Sequence, residues 1–173
     1  LGTGSGVAVT GSHNPPEYNG LKMMVAGDTL YGDGIRALYD TIVADGFERR
    51  FEGIAPGTTR STDLAEAYLG RITGDVKLAR PMKIAVDCGN GVAGALAPEL
   101  YRRLGCEVIE LFCDVDGNFP NHHPDPAHPE NLEDLIRCLR ETDAEIGLAF
   151  DGDGDRLGVV TKDGKIIYPD RQL

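Results

Sequence analysis

Ile146-Gly147-Leu148-Ala149-Phe150, followed at once by Asp151-Gly152-Asp153-Gly154-Asp155-Arg156, decides how this chain is read. The first five residues are an apolar run with the length of a buried strand. The next six place three carboxylates at alternate positions with only glycine between them. Gathered in one loop, three such groups repel one another unless a cation sits among them. Hard oxygen donors of this kind suit Mg²⁺, Mn²⁺ or Ca²⁺ and argue against zinc. The glycines allow the backbone to curl so that the acids converge. Arg156 is placed to balance the acids or to grip a phosphate with its planar fork of donors. The competing reading is a solvated acidic turn. An EF-hand fails on spacing: its sixth and twelfth positions need glycine and glutamate, and here they are Arg156 and Lys162.

Working outward, strands and helices alternate. Strands are predicted over Met82 to Asp87, Glu107 to Phe112 and Glu145 to Phe150. Helices are predicted from Asp63 to Lys77, from Val92 to Leu104 and from Leu132 to Glu141. Alternation at this spacing implies an α/β fold: a mixed, mostly parallel sheet with flanking helices and right-handed crossovers. The acid loop then falls at the carboxyl end of a strand, where open α/β sheets place their ligands. Leu157 to Thr161 and Lys165 to Tyr168 form a hairpin around Lys162-Asp163-Gly164. Upstream, Gly6 to Thr10 and Leu21 to Val25 read as strands and Asp33 to Ala44 as a helix, the end of another α/β domain. Residues 46–60, with Gly46, Gly53, Pro56 and Gly57, read as a linker.

The chain has 173 residues, 41% of them apolar, enough for a proper core. Its net charge of -11 excludes nonspecific binding to nucleic acid or to an anionic membrane, since a phosphate polymer is repelled over most of the surface. No run approaches the ~18 apolar residues of a membrane span. Cys88, Cys106, Cys113 and Cys138 show no CxxC pairing and read as reduced core residues of a cytoplasmic protein. The chain starts at Leu1 without a methionine and ends abruptly at Leu173, which leads us to expect a fragment cut at both ends.

Three further stretches carry chemistry-bearing residues. Thr10-Gly11-Ser12-His13-Asn14-Pro15 sets a serine in a turn after a strand, beside a histidine and an amide. It is either an ordinary polar turn or a site of covalent chemistry; no Gly-x-Ser-x-Gly elbow is present. Lys22, ten residues on, is either solvated or a proton donor or anion contact. Gly89-Asn90-Gly91-Val92-Ala93-Gly94 matches GxGxxG with Glu110 downstream. We read it as a tight strand-to-helix turn, with a dinucleotide site as the alternative. His122, His123 and His128 among Pro120, Pro124, Pro126 and Pro129 suggest zinc by composition. Their spacing from Cys113 is wrong for it, and a structured loop contacting the acid site or an adjoining domain is the preferred reading.

Taken together, Thr10-Gly-Ser-His-Asn-Pro15 and Asp151-Gly-Asp-Gly-Asp-Arg156 resemble the α-D-phosphohexomutase superfamily. Val86-Asp-Cys-Gly-Asn-Gly-Val-Ala-Gly94 and Asp116-Gly-Asn-Phe-Pro-Asn-His-His-Pro-Asp125 look most like its bacterial phosphomannomutase/phosphoglucomutase branch. The resemblance implies that Ser12 carries a phosphoryl group and that Asp151, Asp153, Asp155 and the phosphorylated Ser12 hold Mg²⁺. It also implies that Arg156 contacts phosphate or substrate and that His13, Asn14 and Lys22 belong to the active site, with Lys22 a candidate for acid/base work. The implied reaction interconverts hexose 6-phosphate and hexose 1-phosphate, of mannose or glucose or both, through glucose or mannose 1,6-bisphosphate. The implied domains are 1–59 (the end of domain 1), 60–166 (domain 2, complete) and 167–173 (the opening of domain 3). On this reading the 173 residues alone are inactive, and the sugar preference and oligomeric state are not legible. Two other classes stay open: a noncatalytic Mg²⁺-binding or interaction module, and a nucleotide-binding oxidoreductase domain.

Overall fold

Gly6–Thr10 forms strand β1 and Gly20–Val25 strand β2, paired antiparallel with Val7 opposite Met23 and Val9 opposite Leu21. A two-residue strand not read from the sequence, Asp28–Thr29 (β3), extends this sheet through the turn at Ala26 and Gly27. Helix α1 spans Asp33–Val43, with Asp33 complementing the positive end of its dipole. These elements form one of the two units into which the computed structural model divides: residues 1–10 and 20–62 in the first, 11–19 and 63–173 in the second. The structure describes residues 2–15, 17–44, 53–55 and 57–172. Most of the first half of the linker read over 46–60, including Gly46, and its Pro56 therefore lie outside the described residues.

In the second unit, helix α2 (Ala65–Asp75) precedes strand β4 (Lys83–Asp87). Asp63, just ahead of α2, accepts the Ala65 N–H at 2.8 Å. After β4 come a 3₁₀ turn at Val92–Ala95, helix α3 (Ala97–Arg103) and strand β5 (Glu107–Leu111). The single helix expected over Val92 to Leu104 is thus split. Pro98 in the first turn of α3 has no N–H to continue an incoming α-helix. Pro129–Leu132 is a second 3₁₀ turn leading into helix α4 (Glu133–Glu141). Strands β6 (Ile146–Phe150), β7 (Leu157–Thr161) and β8 (Ile166–Ile167) complete the unit, with a last 3₁₀ turn at Pro169–Arg171.

The strand order is β5-β4-β6-β7-β8. β4 pairs parallel with β5 and with β6, whereas β6–β7 and β7–β8 are antiparallel. The expected mixed sheet forms; its antiparallel part includes the hairpin expected around Gly164, β7–β8, and the β6–β7 pair. Period-two alternation sends the strand side chains to opposite faces. Ala85, Ala149 and Val160 pack with Leu132, Leu135 and Leu139 of the α4 side. Ile84 and Val86 pack with Ala97 of α3 and with Cys88 and Cys106. The result is an α/β/α layering in which Leu135, Leu139 and Val86 are fully buried, each contributing roughly 1.5–3 kcal/mol of apolar transfer. No helix among the described residues is long and apolar enough to cross a membrane.

Candidate functional site

The carboxyl end of β6 delivers the acid loop. Asp151 is completely buried and organises the turn around itself. Its side chain accepts the Arg156 N–H at 3.0 Å, and its carbonyl accepts the Gly154 N–H at 3.0 Å. Asp153 is half-buried and Asp155 exposed, and the three carboxylates bring ligand oxygens within 4.8 Å of one another. Burial, and then the negative charges of Asp153 and Asp155, push the Asp151 carboxyl above the usual range, against the pull of the Arg156 N–H.

The serine turn lies in the same unit, 139 residues away in sequence. Ser12 Oγ stands 3.3 Å from Asp151 Oδ2, 3.2 Å from Asp153 Oδ1 and 3.2 Å from His13 Nδ1. Ser12 adopts a left-handed backbone, φ 52°, the bend that turns its hydroxyl toward the acids. Gly152 makes the approach possible: a Cβ there would sit 2.1 Å from the Ser12 carbonyl oxygen. The two glycines of the loop therefore differ in role. Gly154 supplies a positive φ of 76°, and Gly152 supplies empty space.

One hydroxyl hydrogen cannot satisfy two carboxylate oxygens at once, and ionised carboxylates only accept. This donor set fits a hard divalent cation held by Asp151, Asp153 and Asp155.

Arg156 faces the acids and the proline-rich loop together. Its Nη1 lies 3.4 Å from both carboxylate oxygens of Asp125, and its Nε lies 3.8 Å from Asp151 Oδ2. Its side chain remains 45% exposed, so it can still reach an anion in solvent. The loop is anchored to the site as expected: Gly152 N–H donates to the Pro124 carbonyl at 3.2 Å. Its histidines do not converge on a metal. Nε2 of His122 stands 3.1 Å from both oxygens of the buried Asp87, and the hydrogen bond to Asp87 holds the imidazole above its ordinary pKa. His123 meets His13 edge-on with centroids 6.1 Å apart, and His128 lies between Asp125 and Glu130. Among the described residues the group of metal-type ligands is Asp151, Asp153 and Asp155.

Asn14 is exposed at the rim of the serine turn, closing it through its N–H to the Gly11 carbonyl at 3.0 Å. Lys22 belongs to the other unit, on β2 opposite Ala8. The sequence reading names Arg156 and His122 but not the acids that hold them, Asp125 and Asp87. The available signal was an acid closing the apolar run of β4, a position that burial makes costly without a partner. Gly89 to Gly94 forms a tight turn: Gly89 and Asn90 have positive φ, Val92 N–H donates to Gly152 O at 3.0 Å, and Glu110 pairs with Arg102. A cleft of about 560 Å³ opens beside the acid loop, with Asp155 and Arg156 in its lining together with Pro126, Leu157, Ile167 and Tyr168.

Fold and site together define an α/β/α domain that sets a serine hydroxyl against a cation-type carboxylate loop at the carboxyl edge of its sheet. Residues 66–164 match the family model described as phosphoglucomutase/phosphomannomutase, alpha/beta/alpha domain II, and residues 1–49 match that of domain I. The chain belongs to this family, in the bacterial branch of the α-D-phosphohexomutase superfamily. It is 63% identical over 170 residues to a phosphoglucomutase of Neisseria gonorrhoeae, covering 98% of this chain and 36% of that protein. It is 57% identical over 169 residues to a phosphomannomutase/phosphoglucomutase of Pseudomonas putida, covering 98% of this chain and 35% of that protein. The crystal structure of a phosphoglucomutase/phosphomannomutase family protein from Burkholderia thailandensis superposes with a TM-score of 0.89 at 63% identity, over 98% of this chain and 36% of that one. The chain thus spans about a third of the length of the relatives it matches.

Proposed function

We propose that this chain carries the phosphoryl-transfer site of a phosphomannomutase/phosphoglucomutase that interconverts hexose 6-phosphate and hexose 1-phosphate of glucose, mannose or both. The observation that carries the reading is Ser12 Oγ lying 3.2–3.3 Å from two carboxylates of the acid loop and from His13 Nδ1. In this reading Ser12 carries the phosphoryl group, and Asp151, Asp153 and Asp155 hold Mg²⁺ beside it. The ion, when bound, neutralises the charge that the phosphoserine and the transferring group bring to the acids. His13 is within reach of the proton on Ser12 Oγ when the hydroxyl is regenerated. Arg156, fixed from behind by Asp125, contacts a phosphate, and Asn14 and Lys22 complete the active site, with Lys22 assigned acid/base work.

The proposal includes glucose or mannose 1,6-bisphosphate as intermediate and activator, a cytoplasmic setting, and no nucleic-acid or membrane partner. It also includes the division into 1–59, 60–166 and 167–173. Chemistry that depends on positioning needs every wall of the site, so the 173 residues alone are expected to have negligible mutase activity. The test uses the polypeptide continued to the length of its relatives. Incubation with glucose 1,6-bisphosphate and Mg²⁺ should place a phosphate on Ser12, seen by peptide mass spectrometry, with glucose 1-phosphate turnover in a coupled assay. Both should vanish in Ser12→Ala. Turnover that survives Ser12→Ala, or phosphate found only elsewhere, would refute the assignment.

A further inference from the structure

The turns that leave β4 and β5 bring together two thiols that the phosphoryl chemistry does not use. Register pairs Asp87 with Leu111, and both chains leave the sheet side by side. The Cys88 N–H donates to the Leu111 carbonyl at 3.1 Å, and the Asn90 N–H donates to the Phe112 carbonyl at 2.7 Å. Phe112 is left-handed, φ 51°, and this bend returns Cys113 over Cys88. Their sulfurs are 3.5 Å apart. A Cβ on Gly94 would fall 2.0 Å from the Cys113 carbonyl oxygen, so the backbone holding Cys113 is packed in place. Cys88 is fully buried and Cys113 half-buried. The hydrogen bond they share, together with burial, pushes the Cys88 thiol up. Cys113 is therefore the more reachable of the two. Cys138 packs in the core cluster that contains α4, which does not include Cys88 or Cys113, and provides an internal comparison.

We propose that Cys88 and Cys113 form an oxidation site, which hydrogen peroxide converts into an intrachain disulfide at the carboxyl edge of the sheet. The Cys113 thiolate attacks one peroxide oxygen, the O–O bond breaks, and the departing hydroxide takes up a proton to leave as water. Cys113 is then a sulfenic acid. The Cys88 sulfur, giving up its proton, attacks the Cys113 sulfur; the S–S bond forms, the S–O bond breaks, and a second water leaves. Two thiols are oxidised and one peroxide is reduced to two waters. The sulfurs need close only from 3.5 Å to about 2.05 Å. The bridge would tie the residues leading into Gly91 and Val92, whose N–H holds the acid loop at Gly152.

The test treats the folded 173-residue chain with hydrogen peroxide and reads free thiols, intact mass and peptides mapped without reduction. The expected result is loss of two of the four thiols, a mass lower by about 2 Da, a Cys88–Cys113 linked peptide, and recovery of both thiols with dithiothreitol. In Cys113→Ser the linked peptide is absent and Cys88 stays reduced. The same treatment in guanidinium should scramble the pairing, which ties selectivity to the fold. Direct passage of Cys113 to a sulfinic acid without a linked peptide would overturn the proposal, as would Cys138 reacting first or linked peptides appearing equally in guanidinium. No substrate is used, so the outcome is independent of the mutase assignment.

Discussion

The two sheets of this protein are both built from short strands rich in apolar residues, yet one is clothed and the other bare. In β4, Ile84, Ala85 and Val86 are 3% exposed or less, covered by α3 on one face and α4 on the other. In β1, Val7 and Val9 are 61% and 68% exposed, and α1 has no buried residue despite its apolar stripe of Ile35, Leu38, Ile42 and Val43. Propensity and alternation form both sets of elements, but apolar stabilisation scales with area removed from water. The site follows this division: its serine turn, 11–19, groups with the well-packed unit and not with the strands that flank it.

Substitutions can break that contrast. Leu139→Ala, in the buried cluster beneath β6, should cost about 2–5 kcal/mol in urea unfolding followed by circular dichroism. Val9→Ala should stay within about 0.5 kcal/mol. Equal costs would mean that β1 is covered after all. Gly152→Ala comes next, because its Cβ meets the Ser12 carbonyl; we expect about 1–3 kcal/mol of destabilisation and loss of the contact between Ser12 and the acids, read from the Ser12 amide chemical shift. An unchanged shift would show that the close approach is dispensable.

The smallest effect is electrostatic. Asp87 raises the folded His122 pKa above its ordinary value of 6.5, so the charged imidazole stabilises the fold fully below the unfolded value. That contribution disappears as pH rises through the raised folded value. Asp87→Asn should flatten stability against pH above 6.5, with an effect on the order of 1 kcal/mol. A slope identical to wild type would remove the pair from the account.

Much of this was legible because the informative signals were local. The strand ends were read to within a residue or so, since apolar runs flanked by glycine and charge leave little freedom. The acid loop was legible because alternating Asp and Gly has few other uses. What was not legible depended on distant partners. That Gly152 is needed for Ser12 and not for its own φ, that Asp125 backs Arg156, and that Asp87 holds His122 are all contacts between segments far apart in sequence. The split of the expected helix at Leu96 was readable in principle from Pro98, but the apolar spacing masked it. The bare face of α1 was not readable, because an amphipathic stripe looks the same whether or not anything covers it.

Asp151, Asp153 and Asp155 are proposed to form one cation site facing Ser12. Titration of the chain with Mn²⁺, followed by electron paramagnetic resonance of the free ion, tests it most directly. The account predicts one site per chain, weakened at least about tenfold by Asp153→Asn or Asp155→Asn and unaffected by Asp163→Asn in the distant hairpin turn. Equal Mn²⁺ affinity in the wild type and in a variant with all three loop aspartates changed to asparagine would contradict it.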